Sequence, residues 1–358
     1  MNRRRFLHVG GGLVATASTT GCLSGLGFRT RTVGGAPPVV ANRPDAVYVP
    51  SHVEGMKVVG TAGAKSLRCA LAYSYPHRFW LVTGRRRERV SIRSEDSVHL
   101  MATLWDAETG VVLPAGSLAL DVTKDGESVA SKPPWPMLSQ TMGFHFGDNF
   151  SLPGDGTYEV EARVGALDLR RTGAFRDRFG EPASVSFDVE FSESALSAIS
   201  YERLDDGKGQ RGALDPMAMG MVPSSRLPAK ADLPGSFLGS VRSGDGAFLV
   251  TALDAPPDGV DAPGPYLAVS ARTPYNGYPL PLAAMSGTVE RDGETVFDGP
   301  LAATLDPSLG YHYGTTVERL RPGDLLTLSV DAPPQVARHE GYETAFLEMP
   351  PMALTVPA

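Results

Sequence analysis

Gly143-Phe144-His145-Phe146-Gly147 is met again, at an offset of 167 residues, as Gly310-Tyr311-His312-Tyr313-Gly314. Working outward at the same offset, residues 99–147 align with 266–314 without a gap. Leu100 meets Leu267, Leu113-Pro114 meets Leu280-Pro281, and Asp125-Gly126-Glu127 meets Asp292-Gly293-Glu294, followed by Val129 with Val296 and Pro133 with Pro300. A shift of a residue or two carries the match further. It pairs Trp80-Leu81-Val82-Thr83 with Phe248-Leu249-Val250-Thr251, and Arg170-Arg171-Thr172-Gly173 with Arg338-His339-Glu340-Gly341. Self-similarity at a fixed period marks a repeated structural unit. The chain is a tandem duplication.

Each copy reads as strands. Ser97 to Trp105, Ser117 to Thr123, Tyr158 to Val164 and Ala183 to Phe191 alternate apolar and polar residues over strand lengths. Lys124-Asp125-Gly126-Glu127 and Arg291-Asp292-Gly293-Glu294 are hairpin turns, because Asp-Gly supplies the positive φ that tight hairpins need. With 40 glycines and 30 prolines in 358 residues and no long helical periodicity, the composition is that of an all-β protein. About seven strands per copy predict two tandem immunoglobulin-like β-sandwich domains, with a closed barrel as the alternative. The expected boundaries are 46–192 for the first domain and 236–358 for the second. Residues 193–235 form a linker or an irregular start of the second repeat.

The N-terminus reads as export machinery. Arg3 and Arg4, followed by Arg5-Phe6-Leu7, a weakly apolar stretch and Thr19-Thr20-Gly21-Cys22, resemble a twin-arginine signal ending in a lipobox over residues 1–22. The apolar run is about half the roughly 20 residues of a spanning helix. Cys22 is therefore the expected lipidation site and residues 23–45, with Gly34-Gly35-Ala36-Pro37-Pro38, a flexible tether. These features predict an extracytoplasmic protein of a prokaryote, lipid-anchored to the cell membrane. Cys69 is the only other cysteine, so it reads as a buried structural thiol. A net charge of −7 without a basic stripe argues against nucleic acid as a partner.

The chemical clue is where the seven histidines fall. His8 belongs to the signal, and His52 and His77, in polar turn-like contexts outside the repeat, read as exposed surface. His99, His145, His312 and His339 all lie in the repeat. His99 and Met101 are two residues apart, so in a strand both project from one face. Met137 precedes His145 across a glycine-bearing loop. Imidazole with thioether is a soft donor set, suited to copper and poorly suited to magnesium or calcium. The structural alternative is a histidine packed under a turn, with both methionines in the core. Met217, Met219 and Met221 read as a buried loop rather than a copper shuttle.

Pro136-Met137 through Gly143-Phe144-His145-Phe146-Gly147-Asp148-Asn149 resembles the Met-to-His-Tyr-Gly-x-Asn segment of the periplasmic copper-binding accessory proteins of high-affinity iron uptake. Val98-His99-Leu100-Met101-Ala102 resembles that family's Ile-His-Leu-Glu-Ala strand, and Arg338-His339-Glu340 its Arg-His loop. The resemblance covers roughly residues 46–192 and, more faintly, 236–350. It implies an immunoglobulin-like fold, dimeric single-domain relatives, and a site of His, Met and a carboxylate. There are departures: Met101 replaces the family's Glu, Arg171 stands where the first copy should carry a His, and Tyr266, Ala268 and Thr304 replace His, Glu and Met in the second copy. Each copy alone is an incomplete site.

These residues predict a metal-binding lipoprotein, a copper-binding accessory of iron or copper uptake working beside a permease, with iron as the alternative ion. The expected ligands are His99, Met101, Met137, His145 and His339, with His312 a weaker candidate. The alternative is a metal-free binding or adhesion module on a decayed version of the same fold. An enzyme is not expected, since no Ser-His-Asp, paired-carboxylate or zinc-protease motif is present. If the two copies form an internal pseudo-dimer with exchanged loops, His339 joins His99, Met101, Met137 and His145. Its ring should then lie nearer His145 than His312.

Overall fold

The structure, a computed structural model, describes residues 37–114 and 116–358; Arg3, Arg4, Cys22 and most of the expected tether lie outside the described residues. Helical structure among the described residues is confined to the α-helix Glu193–Ser197 and two 3-10 turns, Gly173–Phe175 and Lys230–Asp232. None of these helices is long and apolar enough to cross a membrane. The rest is β-structure and loop.

Both Asp-Gly pairs turn hairpins as the sequence requires. Asp125 and Gly126 take φ of 53° and 81°, and Asp292 and Gly293 take 51° and 85°. The first turn joins strands Leu118–Lys124 and Glu127–Lys132, the second Ala284–Arg291 and Glu294–Asp306. Beyond the turns the copies differ. In the second copy Glu294–Asp306 runs unbroken for 13 residues, pairing first with Ala284–Arg291 and then with Gly310–Thr316. The corresponding stretch of the first copy is cut into Glu127–Lys132 and Trp135–Ser139. Pro133-Pro134 lies at the cut, where the second copy has Pro300-Leu301. Two successive residues without N–H end the ladder.

Around the first copy, strands Lys57–Ala64, Leu67–Ser74, Val98–Asp106, Gly143–Phe150, Trp135–Ser139, Ala337–Arg338, Phe79–Thr83 and Arg86–Val90 form an eight-stranded sheet in that order. A four-stranded sheet of Ala183–Phe191, Gly156–Val164, Leu118–Lys124 and Glu127–Lys132 faces it. Leu100, Ala102, Leu104 and Phe146 from one sheet and Leu120, Val122, Tyr158 and Phe187 from the other share one core, with Tyr73 edge-on to Phe191 at 6.2 Å. The four-stranded sheet shows the alternation of a half-buried surface: Ala183–Phe191 buries every second residue. Val98–Asp106 is instead buried at all nine positions. Its second face is covered too, and that face carries His99 and Met101.

The copies exchange strands reciprocally. Ala337 and Arg338 of the second copy pair in parallel with Met137 and Leu138 of the first, while Arg170 and Arg171 of the first pair in parallel with Thr304 and Leu305 of the second. At the 167-residue offset these are the same positions, met twice. The exchange also corrects the repeat alignment: His339 N–H donates to Leu138 O and Thr172 N–H to Leu305 O, each at 3.0 Å, so the counterpart of His339 is Thr172, not Arg171. The inserted strand is anchored by Arg338, fully buried, whose guanidinium donates to the carbonyls of Ala345 and Pro334. Residues 193–235 return to the first copy, where Tyr201–Arg203 pairs with His52–Glu54 and Arg211 bridges to Tyr48. Paired backbone and one continuous core run from copy to copy.

Candidate metal centre

Four neighbouring strands of the eight-stranded sheet bring the candidate ligands to one face. Register places His99 opposite Asn149 and Met101 opposite Gly147. It then places His145 opposite Met137 and Met137 beside Ala337, from which His339 is two residues on. Period-2 alternation keeps His145, Gly147 and Asn149 on the same side. The Nε or Nδ atoms of His99, His145 and His339 all lie within 4.8 Å of one another. The His339 ring stands 5.3 Å from that of His145 and 5.7 Å from that of His99, centroid to centroid.

Two of the three imidazoles have their tautomer set by the backbone or a fixed amide. His145 Nδ1–H donates to Gly143 O at 3.1 Å, and a carbonyl can only accept, so Nε2 is bare. His99 Nδ1 lies 2.8 Å from Asn149 Oδ1. The amide cannot be turned the other way: its Oδ1 accepts from His77 N–H at 2.9 Å and its Nδ2 donates to His77 O at 2.7 Å. His99 Nε2 is therefore bare as well. The Nε2 atoms of His99, His145 and His339 are all buried without a hydrogen-bond partner. Buried polar atoms are nearly always paired, so three unpartnered imidazole nitrogens on one cluster of histidines are the marked feature of this face. They fit a metal ion.

Burial holds all three rings neutral. It pushes the His145 imidazole down to about 4. His99 and His339 fall well below the usual 6.5, from burial first and from neighbouring imidazoles second. Neutral imidazole is the ligand form.

Gly147 makes the room. A Cβ there would stand 2.6 Å from His99 Nε2 and 3.1 Å from Met137 Sδ, so the thioether and the imidazole face the same spot. Met101 packs with Met142 and Ala72, flanked by Met56 and Met219. It lines the cavity of about 80 Å³ that also receives His145 and His339. Met219 packs against this methionine cluster without lining the cavity. Met221, expected in a buried loop, is 79% exposed, because it lies at a turn between Met219 and the buried Val222, whose N–H donates to Met219 O.

His312 stands apart from this group. Its Nδ1 donates to Gly310 O at 3.0 Å and its Nε2 meets the Tyr266 hydroxyl at 3.1 Å, so neither nitrogen is available to an ion. Tyr266, in the place of His99, fills the space that Gly314 opens: a Cβ at Gly314 would lie 2.1 Å from its hydroxyl. Thr304 and Thr172 stand where the first copy's site has Met137 and His339. Thr172 is turned to Asp306 Oδ2 at 2.7 Å. The twin position is a closed hydrogen-bonded knot. Cys69, expected to be a buried thiol, is free, fully buried and pushed up to about 12 by burial.

His52 and His77, read from sequence as exposed surface, are neither exposed nor alone. Their side chains are 12% and 13% accessible and both meet the carboxylate of Glu54, at 3.0 and 2.8 Å. They sit in the wall of the same cavity, and the His77 ring touches those of His99 and His339 at 4.5 and 5.2 Å. For Glu54, burial alone would raise the carboxyl, but His77 and the hydrogen bonds from both histidines outweigh it and hold it at about 2. The available signal was the His52-x-Glu54 spacing, which puts both on one strand face. Asn149 and Gly147 carry no ligand role in the motif itself, and the His-aromatic-Gly-x-Asn spacing is what places them on this face.

Among known proteins, residues 231–355 match a family described as a domain of unknown function, DUF7350. A copper-bound variant of FetP from uropathogenic Escherichia coli strain F11 is similar at 17% identity, covering 38% of this chain and 97% of that one, with a TM-score of 0.29. The 'as isolated' FetP of that strain, expressed in the E. coli periplasm, is similar at 16% identity over 39% and 96% of the two chains, with a TM-score of 0.28. Copper-reconstituted P19 from Campylobacter jejuni shows 16% identity over 38% and 96%, with a TM-score of 0.30. No curated protein matches the chain.

Proposed function

We propose that this protein is a membrane-tethered, extracytoplasmic metal-binding lipoprotein. On this reading it holds one copper ion as Cu(I), carried for an iron or copper permease rather than used in catalysis. The observation that carries the reading is that one ring nitrogen from each of His99, His145 and His339 lies within 4.8 Å of the others, while the Nε2 atoms of all three are buried and unpartnered. Leaving such acceptors dry and unbonded costs about 1–3 kcal/mol each, and an ion at their common point offsets that cost. Met137 and Met101 are the thioether donors that favour the softer ion over Zn(II), and Fe(II) is the alternative cargo. The two copies act as an internal pseudo-dimer, a reading supported by their reciprocal strand pairing.

The test is a Cu(I) titration against a competing chelator. The mature protein is expected to take one equivalent at the triad that excess Zn(II) does not displace. His145→Ala is expected to weaken it by tenfold or more, on the order of 1.4 kcal/mol. Equal affinity in His145→Ala and wild type would remove the triad reading. The tether is tested separately: Cys22→Ala is expected to appear in the soluble fraction with unchanged copper affinity, since the lipid chains supply the attachment. Continued membrane retention would exclude lipidation at Cys22.

A further inference from the structure

Arg242, Ala247 and Arg272 stand in one row across three neighbouring strands of the second copy. Antiparallel register sets Arg242 of Ser236–Ser243 opposite Ala247, and Ala247 of Gly246–Leu253 opposite Arg272 of Tyr266–Arg272. Residues directly opposite one another project from the same face of a sheet. Two guanidinium side chains therefore flank a single methyl group, their backbones about 10 Å apart across two strand spacings. These residues line a cavity of about 330 Å³, and Arg226 joins its wall from the segment before the second copy. That segment is tied down next to Arg226, since Leu227 N–H donates to Gly277 O at 3.0 Å. Tyr275, an exposed aromatic ring, lines the cavity as well.

No carboxylate lines this cavity. None of the three arginines makes an ion pair among the described residues, whereas Arg78, Arg178 and Arg291 each hold a carboxylate. Arg272 is the deepest of the three, 8% exposed. Its Nη1 donates to Pro228 O at 2.9 Å and its Nη2 to Ser270 Oγ at 2.5 Å, while Nε is buried without a partner. A carbonyl and a hydroxyl supply dipoles and no opposing charge. Burial pushes the guanidinium down to about 10, so it stays charged at neutral pH. A buried charge is costly unless a counter-ion meets it. At the 167-residue offset the first copy has Trp105 in this place, so the charge belongs to the second half alone.

We infer that Arg226, Arg242 and Arg272 form a binding site for a small anion carrying more than one carboxylate or phosphate group. The guanidinium fork matches the paired oxygens of either group, and three cations in one cavity favour a multiply charged anion over a monovalent one. The volume is that of a small ligand, at the lower end of the roughly 300–1,000 Å³ of ligand pockets. The site stands on its own residues, whether or not the triad holds copper.

The test uses the full mature chain, freed of metal and held at low ionic strength. Calorimetric titrations use citrate and pyrophosphate as probes, with acetate as the monovalent comparison. One equivalent of citrate or pyrophosphate is expected to bind, with an affinity about tenfold or more above that of acetate that falls as salt is added. The tighter probe identifies the group recognised. Arg226→Ala and Arg242→Ala, both at exposed positions, are each expected to weaken binding by about tenfold or more. Arg272→Lys, which keeps the charge and loses the fork, is expected to weaken it as well. Arg163→Ala removes one positive charge from a different sheet and is expected to change affinity by less than about twofold. His145→Ala is expected to bind the anion like wild type, which separates this site from the triad. No saturable binding of either probe would overturn the inference. So would equal losses in Arg163→Ala and the cavity variants, since these would report general charge attraction and not a site.

Discussion

Replacing His339 by alanine is expected to lower Cu(I) affinity by about 100-fold, on the order of 2.8 kcal/mol, without unfolding the protein. The loop that carries it is held by other groups. Arg338 is anchored through buried carbonyls. Glu343 accepts the Tyr48 hydroxyl at 2.6 Å, and Glu340 accepts Ser51 N–H at 3.1 Å. The substitution therefore deletes one ligand and leaves its scaffold in place. The remaining donors are two imidazoles and the thioethers. The control is His312→Ala, which removes a chemically identical side chain from the twin position and is expected to leave Cu(I) affinity at the wild-type value. Equal losses in the two variants would mean that the effect is one of stability and not of ligation.

The second large effect is on stability against acid. His312 and His145 are held neutral by burial, with their imidazoles pushed from 6.5 down to about 4. The unfolded chain takes up these protons near pH 6.5, whereas the folded chain resists until pH 4. The unfolded state therefore binds more protons throughout that window, and stability must fall as pH is lowered through it. Each residue forfeits about 3 kcal/mol by pH 4, and His99 and His339 act in the same direction. Glu54, held at about 2, adds its share only at lower pH. The metal-free protein is expected to keep a constant urea midpoint above pH 7 and to lose much of it between pH 6.5 and 4.5. His312→Asn, which cannot take up a proton there, is expected to show a shallower decline. A midpoint unchanged from pH 7.5 to 4.5 would contradict the burial of these rings.

Local rules made much of the β-structure legible. Asp125-Gly126 and Asp292-Gly293 specify their hairpins by backbone preference alone. The i, i+2 spacing of His99 and Met101 specifies a shared face in any strand, whatever the sheet. The Pro133-Pro134 break was equally readable, and it is why the two copies differ in sheet continuity. The meeting of His339 with His99 and His145 depends on a parallel pairing between residues about two hundred positions apart, which no local pattern encodes. The repeat and the resemblance pointed to it, but with the alignment one residue off, so that Arg171 stood where the backbone register puts Thr172. His52, Glu54 and His77 were harder still. They lie outside the repeat: His52 and Glu54 are held by the return of residues 193–235, a segment whose composition shows only that it is irregular, and His77 by Asn149.

The reciprocal insertion of Arg170-Arg171 and Ala337-Arg338 is a two-fold arrangement built from unequal halves. In an assembly of identical subunits, every mutation is inherited by both halves at once, so neither can drift unless the other does. Joining the halves in one chain removes that coupling. Tyr266 and Thr304 can then close one pocket with hydrogen bonds while His99 and Met137 stay at the other. The closed half needs no metal ion to satisfy its buried groups. It supplies the strand bearing His339 to a neighbour whose own groups are incomplete without a ligand. On the proposed function, duplication gives a division of labour, in which one half is kept for its shape and the other for its chemistry.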